Sequence, residues 1–219
     1  MEDYSYFCAL NLLYYRIMKL VLITPPKFFI EEDKILTALF EEGLDILHLR
    51  KPDSAPMYSE RLLTLIPQQY HKRIVTHDHF YLKEEYNLMG IHLNGRNPNI
   101  PLDYKGHVSC SCHSMEEVKQ KKGHFNYVFM SPIFDSISKK EYLSNFTPEE
   151  LKAAHHEGII DKKVIALGGI TSKNIRTIRQ YGFGGAAVLG DIWDRFDEHD
   201  TIDYTEVIRR FKELKKLAD

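Results

Sequence analysis

From residue 19 onward one pattern recurs along the chain: a short apolar run rich in β-branched residues, a polar junction, then a helical stretch. The runs are KLVLIT (19–24), ILHLR (46–50), RIVTH (73–77), GIHLN (90–94), HVSCSC (107–112), YVFMS (127–131), KVIAL (163–167) and GAAVLG (185–190). They predict eight strands. The clearest helical stretches around them are 31–42, 57–70, 114–122, 148–157, 172–181 and 203–217. Ser114 with Glu117 three residues on reads as a capping box. Thr147, Pro148 and Glu150 supply an N-cap, an N1 proline and an N3 glutamate. Gly43, Gly123, Gly158 and Gly182 fall just after helical stretches, where a left-handed residue is wanted.

Alternating strands and helices imply a parallel sheet. Eight units in about 200 residues match the lower size range of a closed (β/α)8 barrel, a single-domain α/β TIM barrel. An open doubly wound sheet is the competitor, but its GxGxxG fingerprint is missing after the first strand, which ends ITPPKFF. No Pro/Gly/Ser-rich linker divides the chain, so residues 19–219 read as one barrel domain preceded by an N-terminal segment, 1–18. That segment, MEDYSYFCALNLLYYRIM, is apolar and aromatic, yet Glu2 and Asp3 precede the apolar run and the first cation, Arg16, follows it. It lacks a small-residue cleavage site and is too short to span a bilayer. It reads either as an extra helix over one end of the domain or as an extension upstream of a start at Met18.

Composition adds exclusions. The 219 residues are 43% hydrophobic and 27% charged, with a formal net charge of −2. No basic surface announces nucleic acid or an anionic membrane, so any anion must be held by a local site. Cys8, Cys110 and Cys112 are odd in number and form no CxxC pair, which argues against a disulfide framework and a structural zinc. A reducing cytoplasm is the natural compartment.

In a barrel, chemistry collects at the carboxyl ends of the strands. Arg50 and Lys51 stand at the tip of the second strand, where their charges can point into the mouth and grip a phosphate or carboxylate; a salt bridge at the rim is the plainer alternative. Gly168 and Gly169 after the seventh strand, with Gly190 after the eighth, suit the phosphate site this fold commonly builds there, or simple turn chemistry. Ser136, Ser138, Lys139 and Lys140 crowd one loop, which reads as a clamp for a second anion or as a solvated loop. Alternation places Ser109, Ser111 and His113 on one face of the fifth strand and both cysteines on the other. Asp78 after the third strand is the best single carboxylate for Mg²⁺ beside a phosphate, or a helix cap. Most of the 11 histidines need no function. His92 reads as packed or bonded to a neighbouring strand end, and His71, His155, His156 and His199 as surface residues. The chain contains no HExxH or GxSxG.

Taken in order, the strand ends from about 19 to 196 resemble the thiamine phosphate synthase (thiamine-phosphate pyrophosphorylase)/TenI family. The family's Gln-x-Arg is matched by His48-Leu49-Arg50, its Asn-Asp by His77-Asp78, and its Gly-Val-His-Leu by GIHL (90–93). Its Ser-x-His is matched by Ser111-Cys112-His113, and its Pro-x-Phe-x-Thr-x-Thr-Lys loop by PIFDSISK (132–139). ALGGI (166–170) carries Gly169 and VLGDI (188–192) carries Leu189 and Gly190 onto the thiazole-phosphate positions. The resemblance implies a (β/α)8 barrel joining hydroxymethylpyrimidine diphosphate to thiazole phosphate, with Mg²⁺ and release of diphosphate. The diphosphate leaves first, and the thiazole nitrogen traps the stabilised pyrimidine-methyl cation.

It further implies that Arg50, Lys139 and Mg²⁺ on Asp78 stabilise the departing diphosphate, and that Ser111, Ser136 and Ser138 donate hydrogen bonds. His48, Lys51 and His77 would bind substrate. The partners implied are these two small molecules, with no nucleic acid and no membrane, and self-association into a homo-oligomer stays open.

The chain departs from the family pattern at several points. A second acidic metal ligand is replaced by Asn97, the lysine two residues after the arginine by Pro52, and a Gln and an Asn facing the pyrimidine by His48 and His77. A serine of the second phosphate loop is Gly190. These departures keep open a TenI-type thiazole tautomerase, with His113 as acid/base, since an unperturbed imidazole titrates near about 6.5 and suits proton shuttling. They also keep open a non-catalytic thiazole- or thiamine-phosphate-binding barrel. A different phosphate-binding barrel, such as a sugar-phosphate isomerase, is the remaining alternative.

Overall fold

The computed structural model describes residues 18–135, 144, 146–194 and 204–219. Eight parallel strands close on themselves in sequence order: β1 (Lys19–Ile23), β2 (Ile46–Leu49), β3 (Ile74–Thr76), β4 (Gly90–Leu93), β5 (His107–Cys112), β6 (Tyr127–Met130), β7 (Val164–Leu167) and β8 (Gly185–Val188). Closure is completed by β8 against β1, with Lys19 opposite Gly185 and Leu22 opposite Val188. The described helices are α1 (Glu32–Glu41), α2 (Pro56–Leu65), α3 (Leu82–Glu85), α4 (Met115–Lys121), α5 (Pro148–His156), α6 (Ile175–Gln180), α7 (Gly190–Trp193) and α8 (Thr205–Ala218). The predicted (β/α)8 barrel is therefore observed, although no helix separates β4 from β5.

Period-two alternation splits each strand between two cores. Outward residues such as Leu20, Leu22, Leu47, Leu49, Cys110 and Cys112 pack under the helices, where the free cysteines serve as small apolar side chains. The inward set is itself divided. Val21, Ile23, Phe129, Ile165 and Ala187 make an apolar half, while His48, His77, His92 and Ser109 on β2–β5 bring polar groups into the same barrel. A buried polar atom without a partner costs about 1–3 kcal/mol, so this half has to be internally hydrogen-bonded.

Several local expectations need correction. The stretch 57–70 is not one helix: α2 stops at Leu65 because Pro67 drives Ile66 into an extended conformation (φ −75°, ψ 129°), and a 3-10 turn, Gln68–Arg73, follows. His71 is buried rather than superficial, its ring nitrogens lying 2.9–3.1 Å from the carbonyl oxygens of Tyr86, Leu63 and Ile66. Gly123 lacks the positive φ found at Gly43, Gly158 and Gly182. Thr147 and Glu150 form the complete capping box. At α4, Ser114 accepts from the Glu117 N–H, but the Glu117 carboxylate reaches back to the His113 N–H at 2.7 Å instead of to Ser114.

Met18 is buried, and its N–H donates to Ala218 O at 3.2 Å, tying the start of β1 to the end of α8. The rest of the expected N-terminal segment, 1–17, lies outside the described residues. No described helix is long and apolar enough to cross a membrane.

Candidate active site

The strands are parallel and the barrel is closed, so every strand delivers its carboxyl end to the same rim. Arg50 follows β2 there. Its backbone is pinned by Thr24 at the end of β1: the Arg50 N–H donates to Thr24 Oγ1 at 2.9 Å, and that hydroxyl donates to Arg50 O at 3.1 Å. The guanidinium is half-buried and has no direct hydrogen-bond or ion-pair partner among the described residues. Burial, and then the neighbouring Arg96, press its pKa below the ordinary value, with Asp78 and Asp53 acting the other way. An arginine stays protonated under such pressure. It is a charge in want of an anion.

Lys51 behaves differently, and this corrects the expectation that it shares the mouth with Arg50. Its ammonium is 1% exposed and bonds Glu32 Oε1 and Oε2 at 2.6 and 2.8 Å and Lys27 O at 2.8 Å. It also stands 4.4 Å from the Phe28 ring centre. Strand alternation explains the contrast, because consecutive residues leave a strand tip toward opposite sides. The charge of Lys51 is spent inside the wall, holding α1 to the β2 loop.

Asp78, after β3, sits at the centre of a rim network. Its Oδ1 accepts from Arg96 Nη2 at 3.0 Å and Asn97 Nδ2 at 3.2 Å, while Oδ2 accepts only the Lys51 N–H at 3.3 Å. Asn94 and Asn97 both donate to His77 O, at 3.1 and 3.0 Å, knitting the β3 and β4 tips together. A Mg²⁺ ion fits this donor set in a limited form. One carboxylate oxygen is free of strong bonds, and Mg²⁺ commonly takes one or two carboxylates plus substrate phosphates. Asn97 turns its amide nitrogen toward Asp78, so it does not stand in for a second acidic ligand.

Beneath this rim the histidines interlock. His48 Nδ1 lies 2.7 Å from His77 Nε2, and His48 Nε2 lies 2.5 Å from the Tyr127 hydroxyl. His92 Nδ1 and Nε2 lie 2.8 and 2.9 Å from the hydroxyls of Ser109 and Ser111, so His92 does bond to the neighbouring strand. Desolvation is the largest cause holding all three imidazoles neutral: it takes His92 down to about 3 and His48 and His77 well below their ordinary value. His113 is exposed at the β5 tip, with Nδ1 3.2 Å from Ser131 O and 3.3 Å from its hydroxyl.

On the opposite side of the mouth Gly168 and Gly169 follow β7 with φ of +102° and +62°. A Cβ on Gly169 would stand 2.2 Å from Asp135 O, so only glycine lets this turn pass beneath the loop leaving β6. That loop carries Ser136, Ser138 and Lys139, which lie outside the described residues. Leu189 and Gly190 open α7, and Trp193 of the same turn donates its indole N–H to Ile23 O at 2.9 Å. Sequence reasoning thus placed Arg50, Asp78, His48, His77, Ser111, His113, Gly169 and Gly190 at strand ends around one mouth. It missed Thr24, Arg96, Glu32 and Tyr127. Buried Glu32 in an otherwise amphipathic helix was the one available signal.

A closed barrel whose rim carries an arginine without a direct partner among the described residues, a carboxylate and paired glycine turns belongs to the (β/α)8 class. Comparison narrows this. A family model described as thiamine monophosphate synthase matches residues 20–192, and the chain belongs to that family. A crystal structure of thiamine phosphate pyrophosphorylase from Bacteroides thetaiotaomicron is 64% identical with a TM-score of 0.86, over 92% of this chain and 98% of that one. The thiamine-phosphate synthase of Halalkalibacterium halodurans is 26% identical over 192 residues, 81% of this chain and 88% of the relative. A thiamine phosphate pyrophosphorylase structure from Pyrococcus furiosus shares the fold, with a TM-score of 0.70 at 18% identity over 93% of this chain and 96% of that one.

Proposed function

We propose that the chain is a thiamine phosphate synthase, a transferase that joins hydroxymethylpyrimidine diphosphate to thiazole phosphate and releases diphosphate. The observation that carries this reading is the half-buried Arg50 guanidinium, without a direct partner among the described residues, beside Asp78 at the mouth. Loss of a diphosphate from a stabilised pyrimidine-methyl centre needs positioning and charge neutralisation more than a strong base. Arg50 meets the departing charge in two-pronged fashion, and Lys139, Ser136 and Ser138 complete the clamp. Ser111 donates a hydrogen bond, while His48 and His77, buried just beneath the rim, occupy the positions that face the pyrimidine in the family pattern. The turns at Gly169 and at Leu189–Gly190 present backbone N–H groups to the thiazole phosphate. Mg²⁺, when bound by Asp78 and phosphate oxygens, supplies further charge neutralisation.

The free, buried Cys110 and Cys112 support a reducing, cytoplasmic setting. A tautomerase reading rests on the His113 ring, exposed at the rim beside Ser131. The test is incubation of the purified chain with both substrates and Mg²⁺. Thiamine phosphate formation, abolished in D78A and retained in H113A, supports the synthase. Interconversion of thiazole tautomers without coupling, stopped by H113A, transfers the assignment to the isomerase.

A further inference from the structure

The synthase reading uses His48 and His77 as a surface for the pyrimidine and gives His92 no task, yet the three rings are assembled as a unit. We infer that His48, His77 and His92 form a site for one first-row transition-metal ion of the Zn²⁺ class, inside the barrel and separate from the Asp78 position. Their ligating nitrogens all lie within 4.8 Å of one another. Ring centres are 5.0 Å apart for His48–His77, 5.1 Å for His48–His92 and 4.3 Å for His77–His92. Three imidazoles bound at about 2.0–2.1 Å to a tetrahedral ion set their ring centres roughly 5 Å apart. The spacing is close to that arrangement, but His77 and His92 stack with their planes 21° apart, so one of these rings has to turn before both can point a nitrogen at the same ion. A second adjustment is between His48 Nδ1 and His77 Nε2, now 2.7 Å apart as hydrogen-bonded partners. Sharing an ion, they would stand about 3.3 Å apart.

The surroundings match what a ligand set needs. A metal-binding imidazole is ordinarily oriented through its other nitrogen. His48 has the Tyr127 hydroxyl for this, and His92 has a serine hydroxyl on each nitrogen, so one partner remains whichever nitrogen turns inward. Burial keeps the imidazoles deprotonated and competent to bind. Arg50 and Arg96 act electrostatically on His77 and oppose a dication. The imidazole ligands offset that opposition only for ions forming strong bonds to nitrogen, not for Mg²⁺ and Ca²⁺, which prefer oxygen. Three protein ligands leave a fourth position for water or a substrate atom.

The inference does not rest on synthase activity, so its test does not either. The full chain, stripped with chelator and dialysed, is equilibrated with Co²⁺ and, in parallel, with Zn²⁺ in excess Mg²⁺. Bound metal is read by mass spectrometry and the Co²⁺ form by its visible spectrum. The expected result is one retained ion per chain, a tetrahedral nitrogen-ligand spectrum without a thiolate band, and at least tenfold weaker retention in H77Q and in H92Q. The H155A/H156A double variant, altered on the outer helix, should bind like wild type. Should the core variants fail to fold, histidine nitrogen resonances of the wild type replace them, with Zn²⁺ expected to shift three imidazoles and no others. Absence of a retained ion overturns the inference. So does a thiolate band from Cys110 and Cys112, retention unchanged in both folded core variants, loss of the ion from H155A/H156A, or resonance shifts confined to other histidines.

Discussion

Acidification is the perturbation to which this core responds most sharply. His48, His77 and His92 are fully buried and neutral when folded, but each takes a proton at about pH 6.5 when the chain unfolds. Their folded pKa values are depressed, so the unfolded state binds more protons and stability falls as pH drops below 6.5. At pH 5.5 each group costs about 1.4 kcal/mol, or about 4 kcal/mol for the three. Glu32 has the opposite sign. Burial raises it from 4.5 to about 7 despite Lys51, so its contribution is full below 4.5 and lost as pH rises through 7. Between pH 7.5 and 5.5 it returns about 2 kcal/mol.

The net expectation is therefore a loss of about 2 kcal/mol on moving from pH 7.5 to 5.5, measured by urea unfolding. The double variant H48Q/H77N leaves one histidine against Glu32, and its loss should vanish. Wild-type stability constant to within about 1 kcal/mol, or an undiminished loss in the double variant, would refute the reasoning.

Other substitutions probe separate parts of the wall. E32Q or K51M alone should cost about 3–5 kcal/mol at pH 8 in urea unfolding, because each strands a buried charge, while E32L/K51M together should recover most of that stability. G169A places a methyl group 2.2 Å from Asp135 O at φ +62° and should lose at least about 2 kcal/mol, together with turnover. G158A, at φ +70° in open space, should lose about 1 kcal/mol or less, and equal losses would remove the argument from close approach. R96Q frees Asp78 Oδ1 from a competing cation and should lower the Mg²⁺ concentration for half-maximal rate about three- to fivefold. An unchanged or raised requirement would mean that Arg96 does not compete for that oxygen.

The barrel was legible because its physics is periodic: every predicted strand is present, and the parallel order follows from alternation alone. One predicted helix is two elements because Pro67 forces the preceding Ile66 out of the helical region, which outweighs the apolar periodicity that continues past it. At the mouth, Arg50 and Asp78 were legible because charge at the end of an apolar run has to be accounted for. Lys51 was misread because sequence shows that two cations are adjacent without showing that a buried glutamate 19 residues earlier captures one of them. Arg96 follows a glycine in a turn with no periodicity to fix its direction, and only its 3.0 Å bond to Asp78 gives it meaning. The histidine unit was hidden in the same way. His48, His77 and His92 are far apart in the chain, and strand register alone brings them together.

The central claim, that the Arg50 guanidinium, without a direct partner among the described residues, receives the leaving diphosphate, is tested most directly by kcat/KM for diphosphate release in R50Q against wild type. A fall of at least about 100-fold is predicted, the scale of losing one donor to developing charge, with unfolding by urea unchanged to within about 1 kcal/mol because the pin to the Thr24 hydroxyl uses only the backbone of Arg50. A folded R50Q enzyme working within threefold of wild type would contradict it.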